Sequence, residues 1–397
     1  MLALPRRMLD RPAPLAWARR FNAVHAGDFA RDIAMFGRRV VGRHGDIPGF
    51  SFARNSTAYA QNRAGQWLEF AAGQMRLTDR GLLAERGGSY TGLVTAPRDL
   101  TNAAWTKSNT TAALTQTGFR GDANSASLLT ATSNAGTCLQ SFTSGSAGRY
   151  FSPLVKRVTG TGTIELTLNG GTNWTDVTAL INSNSFTQLG IGATLANPNI
   201  GFRLGTSGDA IAVDVAQMVA AGTAGVTALI TGTGVNDVLT IPWANSGAHT
   251  LFVEAERFHG VSSVVGSDFG AALSLNDGSA ANQSYISRQN LATATGFATV
   301  SSSAKGLLSK GSGASDSPAA PSRFAMAVQT NAGLGAFGGS AANGADVATA
   351  AIPATTQISI GHQGGGGAFF QLGYIRKWAI FDRALSVAEL NALTATA

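Results

Sequence analysis

The feature that most constrains this chain is a run of short apolar segments between residues 97 and 221, each bounded by turn residues. Turn signals such as GSAG, TGTG, NGGTN and TSGD separate the segments. Short strands at intervals of about 8 to 12 residues are typical of β-sandwiches and jelly rolls. The predicted strands are residues 112–117, 126–131, 138–142, 150–158, 163–168, 176–180, 186–191, 200–204 and 210–220. We therefore predict a jelly-roll domain over residues 98–221.

A second β-rich region covers residues 222–397. Segments such as VLTIPW, HTLFVEAERF and SRFAMAVQT read as strands, and Asp277–Gly278 is a strong hairpin-turn signal. Only 13% of the residues are charged and 49 are glycine, so hydroxyl and amide side chains must supply much of the polar surface. The fold class we predict is all-β, with two consecutive antiparallel β-sandwich or jelly-roll domains after a short N-terminal helical or extended attachment segment.

The N-terminal segment carries most of the net charge. Residues 1–44 hold nine arginines and three aspartates, a net +6, and the whole chain is +7, so the rest carries only +1. Apolar residues from Trp17 to Phe36 recur at spacings of three to five, which predicts one or two short amphipathic helices broken near Gly27. We interpret residues 1–45 as a basic attachment arm and residues 46–97 as an extended neck. The alternative is a helix packed on its own domain.

A basic arm suits nucleic acid, an acidic membrane surface or an acidic protein, and docking to an acidic protein surface is the prediction. The docking candidates are Arg6, Arg7, Trp17, Arg19, Arg20, Phe21, Arg38 and Arg39. Nucleic acid is not an expected partner, because the nearly neutral body lacks a basic stripe with interleaved aromatic residues. Under this interpretation, a protein lacking residues 1–44 should still fold.

Two features of the sequence exclude particular classes of site and of protein. The only cysteine is Cys138, so no internal disulfide and no paired-cysteine metal site is possible. No stretch reaches the roughly 18 apolar residues of a membrane-spanning helix, so membrane insertion is not expected.

Residues 373–393, GYIRKWAIFDRALSVAELNAL, read as a strand, a short turn and a helix. Ser386 and Glu389 have the spacing of a capping box, in which each side chain accepts a hydrogen bond from the other residue's backbone N–H. Leu390 and Leu393 then lie on the apolar face. We predict a short C-terminal helix that covers exposed apolar surface of the last domain.

This ending resembles the terminal strand and helix of concanavalin-like (laminin-G-type) lectin domains. RGLLAERGGSYTGLVTAPRDLTNAAWTKSNTT resembles a leader found in bacteriophage tail-fibre and virion head-spike proteins, where it precedes a carbohydrate-binding-module-like jelly roll and then such a lectin domain. IAVDVAQMVAAGTA resembles the last strand of that jelly roll, although the family's usual motif is degraded here. The resemblance covers roughly residues 50–397, and the order of the three elements is its most specific part.

The resemblance implies a structural component of a phage or gene-transfer-agent particle, assembled in the cytoplasm of the bacterial host. Its N-terminus would bind other virion proteins, such as a capsid, tail or adaptor protein. Its C-terminal domain would bind host surface polysaccharide. Because single glycan sites bind weakly, we expect a homo-oligomer, with a trimer as the specific prediction.

Signals of an enzyme are few. The sequence has no GxSxG elbow and no HExxH motif. Glu254 and Glu256 are the most suggestive carboxylate pair for glycoside cleavage, but we expect both on a solvated strand face. We therefore predict a protein without catalytic residues. A capsule polysaccharide depolymerase and a ligand-free structural spacer remain the alternatives.

Two loops of the last region carry side chains that suit glycan recognition. The candidates are Asp277, Asn282, Tyr285 and Arg288 in the first loop and its following strand, and His362 and Phe369 around four glycines in the second. The alternative is a plain turn residue for Asp277 and core packing for Tyr285 and Phe369.

No metal-ligand spacing is recognisable, so no cofactor is expected. Asp268, Asn276 and Asp277 are the oxygen-rich group that a structural calcium ion could use. Trp105, Trp174, Trp243 and Trp378 lie in or beside predicted strands, and we expect them in the cores.

Overall fold

A computed structural model describes residues 15–84, 89–90, 93–220, 232–233, 237–257, 270–279, 281–288, 293–300, 303–311, 321–330, 332–337, 340–344, 352–362, 364 and 373–395. Within these residues the protein is nearly all β, which confirms the predicted fold class. The two α-helices described are α1 (Ala16–Arg19) and α2 (Val387–Thr394), and 3-10 turns cover His44–Asp46 and Thr178–Leu180.

The strands fall into three groups along the chain. The first group is β1 (His25–Asp28), β2 (Ile33–Phe36), β3 (Arg39–Gly42), β4 (Ser51–Ala53), β5 (Ala58–Gln61), β6 (Trp67–Phe70), β7 (Leu77–Thr78), β8 (Gly81–Ala84) and β9 (Ser89–Tyr90). The second is β10 (Thr106–Ser108), β11 (Thr110–Gln116), β12 (Ala126–Ala131), β13 (Gly136–Ser141), β14 (Ala147–Thr159), β15 (Ile164–Thr167), β16 (Thr175–Asp176), β17 (Thr187–Gln188), β18 (Ile191–Leu195), β19 (Asn199–Leu204) and β20 (Ala210–Ala220). The third is β21 (Gly232–Thr233), β22 (Val238–Asn245), β23 (His249–Arg257), β24 (Gly270–Asn276), β25 (Gln283–Arg288), β26 (Thr293–Val300), β27 (Ser303–Gly311), β28 (Ser322–Gln329), β29 (Ala332–Phe337), β30 (Ser340–Gly344), β31 (Thr355–Ile360) and β32 (Gly373–Phe381).

The second group folds into a jelly roll of two sheets. The five-stranded sheet has the order β10-β13-β19-β15-β16, and the six-stranded sheet has the order β11-β12-β20-β14-β17, with β18 also paired to β14. Trp105, Phe151 and Phe202 lie in the core between them, together with Cys138. Alternating apolar residues of β13, β15 and β19 point into this core, which is why a period of two could be read there from the sequence.

The third group forms the last sandwich together with most of the first. Its ten-stranded sheet contains the path β3-β2-β1-β32-β23-β28-β29-β30, with β8 also paired to β32 and β7 to β8. Its seven-stranded sheet has the order β27-β26-β25-β24-β31-β22-β4. The core between the sheets includes Val253, Leu273, Met326 and Trp378.

The expected helical arm is wrong for residues 25–42, which form strands. Ala26 pairs with Ala379 of β32 and with Met35 of β2, so β1 extends the ten-stranded sheet. All four residues of β1, His-Ala-Gly-Asp, are buried although His25 and Asp28 are polar, so no periodicity of apolar residues marks this segment as a strand. Pairing with β32 decides the outcome.

The expected neck is likewise part of the last sandwich. Strand β4 pairs with β22, and β8 pairs with β32. The hairpin of β5 and β6, called here the bridging hairpin, lies between the two domains: Tyr59 packs on Leu154 and Phe186 of the jelly roll, while the backbone of Gln61 bonds Tyr374 of the last sandwich. Separate neck and arm domains are therefore absent from the described part of residues 15–84.

The last sandwich is consequently discontinuous in sequence. Residues 15–84 and 237–395 contribute to it, and the jelly roll is inserted between them. The segments that lead into and out of the jelly roll pair as two short antiparallel strands, β9 and β21, in which Tyr90 lies opposite Gly232 and Ser89 opposite Thr233.

Candidate functional site

The first loop chosen from the sequence is a tight turn whose polar groups bind one another. The Asp277 carboxylate accepts hydrogen bonds from the Ser279 N–H at 2.9 Å, the Ser279 hydroxyl at 2.5 Å and the Asn282 amide at 2.8 Å. Partial burial opposes ionisation of Asp277, but the bonds from Ser279 and Asn282 prevail and lower its pKa. The structure thus brings Asp277 and Asn282 together, with the carboxylate held by the turn.

Asn276 is the centre of a buried polar network beneath this turn. Its amide nitrogen donates to the Ser274 and Ser359 hydroxyls, both at 2.9 Å. Its oxygen accepts from the Gly278 N–H at 3.0 Å and from the Gln357 amide at 2.8 Å. This oxygen therefore already accepts two hydrogen bonds as a structural group. Asp268, the other residue considered for calcium, lies outside the described residues.

The second loop lies against the same turn. His362 is buried, and its Nε2 lies 3.2 Å from the Leu239 carbonyl oxygen. A Cβ at Gly364 would stand 2.3 Å from the carbonyl oxygen of Ser279, so backbone contact there requires glycine. Phe369 lies outside the described residues.

The two remaining candidates of this region belong to β25. Tyr285 is half-buried, and burial raises its pKa to about 12. Arg288 is the last residue of the strand and pairs with Gly270. Asp277 and Asn282 therefore lie at the turn of the β24–β25 hairpin, whereas Arg288 lies at the opposite end of that hairpin and His362 lies against β22, so the structure does not bring all of these candidates together.

The docking candidates divide into exposed arginines and packed aromatic residues. Arg19, Arg20 and Arg39 are exposed, and Arg38 is paired at 2.6 Å with Asp382 at the surface. The aromatic residues are half-buried against the ten-stranded sheet: the Trp17 ring centroid lies 5.2 Å from that of Phe252, and Phe21 packs on the same cluster. Arg6 and Arg7 lie outside the described residues.

A partly exposed array that the sequence analysis missed lies on the jelly roll. Arg203 Nε and Nη2 donate to the two Glu165 carboxylate oxygens at 2.5 and 2.7 Å, and the Arg203 guanidinium lies 4.6 Å from the Trp174 ring centroid. Trp174 is half-buried, so its predicted place in the core is wrong. Trp105 and Trp378 are buried as predicted, and half-buried Trp243 packs against the core.

The strand pattern explains where this array lies. Glu165 and Arg203 face each other across β15 and β19, and their neighbours Ile164, Leu166 and Phe202 point into the core. Side chains alternate along a strand, so the charged pair must be on the outer face. That alternation, together with a tryptophan directly after a glycine turn, was the signal available in the sequence.

The carboxylate pair chosen as a possible catalytic pair is buried, contrary to the prediction. Glu254 is 1% exposed and Glu256 is 4% exposed. Glu254 accepts from Arg323 at 2.7 Å, and Glu256 accepts from Arg80 Nε at 2.9 Å. The N-terminal segment and residues 76–84 cover this strand face, so it is not the solvated face that alternation alone suggested.

Within the described ranges of the chain, no three His, Cys, Asp or Glu side chains converge as a metal ion would require. Neither described helix has the length and apolar character needed to cross a membrane.

Comparison with protein-family models gave no match, and comparison with curated sequences gave none either. Among solved structures, the carbohydrate-binding module CBM40 of the Ruminococcus gnavus IT-sialidase bound to α2,3-sialyllactose is similar at 12% identity and a TM-score of 0.28, over 38% of this chain and 83% of that one. Mouse laminin α1 domains LG4-5 are similar at 8% identity and a TM-score of 0.24, over 73% and 91%. The Trypanosoma rangeli sialidase in complex with the inhibitor DANA is similar at 12% identity and a TM-score of 0.28, over 41% and 28%. Similarities this low carry no argument about function.

Proposed function

We propose that this protein binds glycans on a host cell surface as a component of a phage or phage-like particle. The observation that carries the proposal is the array of Trp174, Arg203 and Glu165 on the outer face of the jelly roll. An aromatic face packs on the C–H groups of a sugar ring, while guanidinium donors and carboxylate acceptors bind its hydroxyls. The turn at Asp277 and Asn282 in the last sandwich is the second candidate contact.

The particle role is supported by the resemblance of residues 80–111 to phage fibre and spike leaders and by the exposed arginines. Arg19 and Arg20 at the end of α1 and Arg39 in β3 are each exposed, and exposed arginines suit an acidic virion protein. A homotrimer would raise the avidity of weak glycan sites by about 10² to 10⁴.

A depolymerase remains the alternative enzymatic function. Glu254 and Glu256 do not favour it, because each is buried in an ion pair rather than placed beside an open cleft. Release of reducing sugar from host capsule by the purified protein would support the enzyme and contradict a pure binder.

The binding proposal is tested by Trp174→Ala in the full-length protein, with saturation binding to host cells and to extracted surface polysaccharide as the readout. We expect binding to weaken at least about tenfold, which corresponds to about 1.4 kcal/mol. Leu114→Ala is the matched control, because Leu114 is 37% exposed on the six-stranded sheet. Equal binding by the two variants would show that Trp174 does not contact the glycan. Asn282→Ala then tests the second candidate contact.

A further inference from the structure

Three cations surround a single buried carboxylate where the N-terminal segment covers the ten-stranded sheet. The Glu254 carboxylate lies 2.7 Å from Arg323 Nε, 3.1 Å from Lys377 Nζ and 3.4 Å from Arg376 Nη1. The three basic side chains are only 21–24% exposed. Arg376 joins Lys377 here because the ladder between β23 and β32 is irregular at Glu254 and Ala255.

The charge imbalance persists when the adjoining strand is included. Asp28 lies opposite Lys377 in the sheet, and its carboxylate is 3.8 Å from Arg31 Nε. Arg31, Arg323, Arg376 and Lys377 give +4 against −2 from Asp28 and Glu254, a surplus of +2. Partly buried charges of one sign repel one another unless a counter-charge is near.

Two buried N–H donors of this cluster have no hydrogen-bond partner among the described residues. One is Nε of Arg376 itself, and the other is Nε1 of the neighbouring Trp17. Trp17 adjoins the cluster directly, because Lys377 Nζ lies 5.9 Å from its ring centroid. Buried N–H donors are nearly always satisfied in native proteins, by protein, water or an ion.

We infer that Trp17, Arg323, Arg376 and Lys377 form a binding site for one small oxyanion, a carboxylate or a sulfate group. Such an anion would offset the surplus positive charge and accept charge-assisted hydrogen bonds from the guanidinium and indole donors. Its source is either a free anion or an acidic sugar. The inference does not depend on the proposed glycan contact at Trp174, which lies in the other domain.

The test follows the Trp17 indole N–H signal by NMR in the full-length protein, assigned with Trp17→Phe. Sodium acetate, sodium sulfate and sodium glucuronate are titrated against sodium chloride at constant ionic strength, because exposed charges are screened by salt. Glucose is the neutral match for glucuronate. We expect a saturable shift of the Trp17 signal with at least one oxyanion and no comparable shift with chloride or glucose. Glucuronate binding more tightly than acetate would identify an acidic sugar as the source, and equal affinities would indicate a free anion.

The matched variants are Arg376→Gln, which removes a donor of the site, and Arg63→Gln, which removes the same charge from an exposed position in the bridging hairpin. Arg376→Gln should weaken the affinity about tenfold or more, while Arg63→Gln should leave it unchanged. The other tryptophan indole signals report whether each variant is folded, and Arg323→Gln replaces Arg376→Gln if that variant does not fold. No saturable shift with any oxyanion, or an equal shift in a folded site variant, would overturn the inference.

Discussion

Gln61 and Tyr374 exchange two hydrogen bonds across 313 positions of the chain. The Gln61 N–H donates to the tyrosine oxygen at 2.7 Å, and the tyrosine hydroxyl donates to the Gln61 carbonyl at 2.8 Å. Tyr374 is fully buried, and burial raises its pKa to about 12. Gln61 Nε2 also donates to the Phe186 carbonyl of the jelly roll at 3.0 Å, so one residue of the bridging hairpin contacts both domains.

We expect Tyr374→Phe to lower the free energy of unfolding by about 1–3 kcal/mol, because it leaves the Gln61 N–H buried and unsatisfied. Urea unfolding measures the change. Tyr59→Phe is the control, since Tyr59 bonds the exposed Glu69 carboxylate at 2.9 Å and should cost less. If Tyr374→Phe costs no more than Tyr59→Phe, the paired bond does not hold the hairpin in place.

Deleting residues 1–44 should unfold the last sandwich. The deletion removes β1–β3 and leaves the β32 edge and the buried side chains of Ala379 and Phe381 exposed to water. We expect loss of the cooperative urea transition of this sandwich. Deleting only residues 1–14 is the control that keeps every described strand, and a 1–44 deletion with the same transition midpoint as that control would contradict the discontinuous domain.

The jelly roll should fold when residues 93–220 are expressed alone. It has its own core, and its ends lie together, because the Ala216 N–H donates to the Pro97 carbonyl at 2.7 Å. The first residues are also held on the domain, because the Thr95 N–H donates to Gln140 of β13 at 2.8 Å. Dispersed amide signals and a single cooperative unfolding transition are the expected results. Poorly dispersed amide signals would show that the folding of this domain depends on the bridging hairpin.

Local signals predicted local structure well. The Ser386–Glu389 capping box is present, with the Ser386 N–H donating to Glu389 at 2.9 Å, because the whole motif lies within four residues. Most jelly-roll strands were also predictable, since their two-residue alternation reflects a core formed within one continuous segment. The strand predicted at residues 176–180 is wrong for Thr178–Leu180, which form a 3-10 turn.

The predictions that failed concern residues whose structure depends on segments distant in the sequence. His25–Asp28 becomes a strand because β32 pairs with it, and no local pattern contains that partner. Glu254 and Glu256 lie on an alternating strand as predicted, yet the face is covered by residues from the N-terminal third of the chain. Burial of a face cannot be read from one strand when the covering segment is distant in sequence.

Gly27→Ala should destabilise the last sandwich by about 1–3 kcal/mol, because overpacking displaces buried side chains. An added Cβ would stand 2.3 Å from both His44 Nε2 and Trp378 Nε1. Gly45→Ala is the matched control, since nothing lies within 4 Å of a Cβ there. Urea unfolding of the two variants measures the effect, and equal stability would mean that His44 and Trp378 can move aside without cost.

Buried histidines should make the protein less stable at mildly acidic pH. Burial lowers the pKa of His25 and of His249 from 6.5 to about 4, and it lowers the pKa of His44 as well. The folded state therefore takes up these protons less readily than the unfolded chain. Each of His25 and His249 should cost up to about 3 kcal/mol, a loss that begins as the pH falls below 6.5 and is complete near pH 4.

Urea unfolding at pH 7 and pH 5 tests this expectation. Glu254 and Glu389 have lowered pKa values and stay ionised in the folded state over this interval, while the unfolded chain, with ordinary pKa values of 4.5, protonates them only partly at pH 5, so together they contribute only a few tenths of a kcal/mol to the difference. His249→Asn removes one titrating group and should give a smaller loss between pH 7 and pH 5, even though it starts from a lower stability because a buried ring is lost. Identical losses in the variant and the parent protein would show that His249 is protonated equally in the folded and unfolded states.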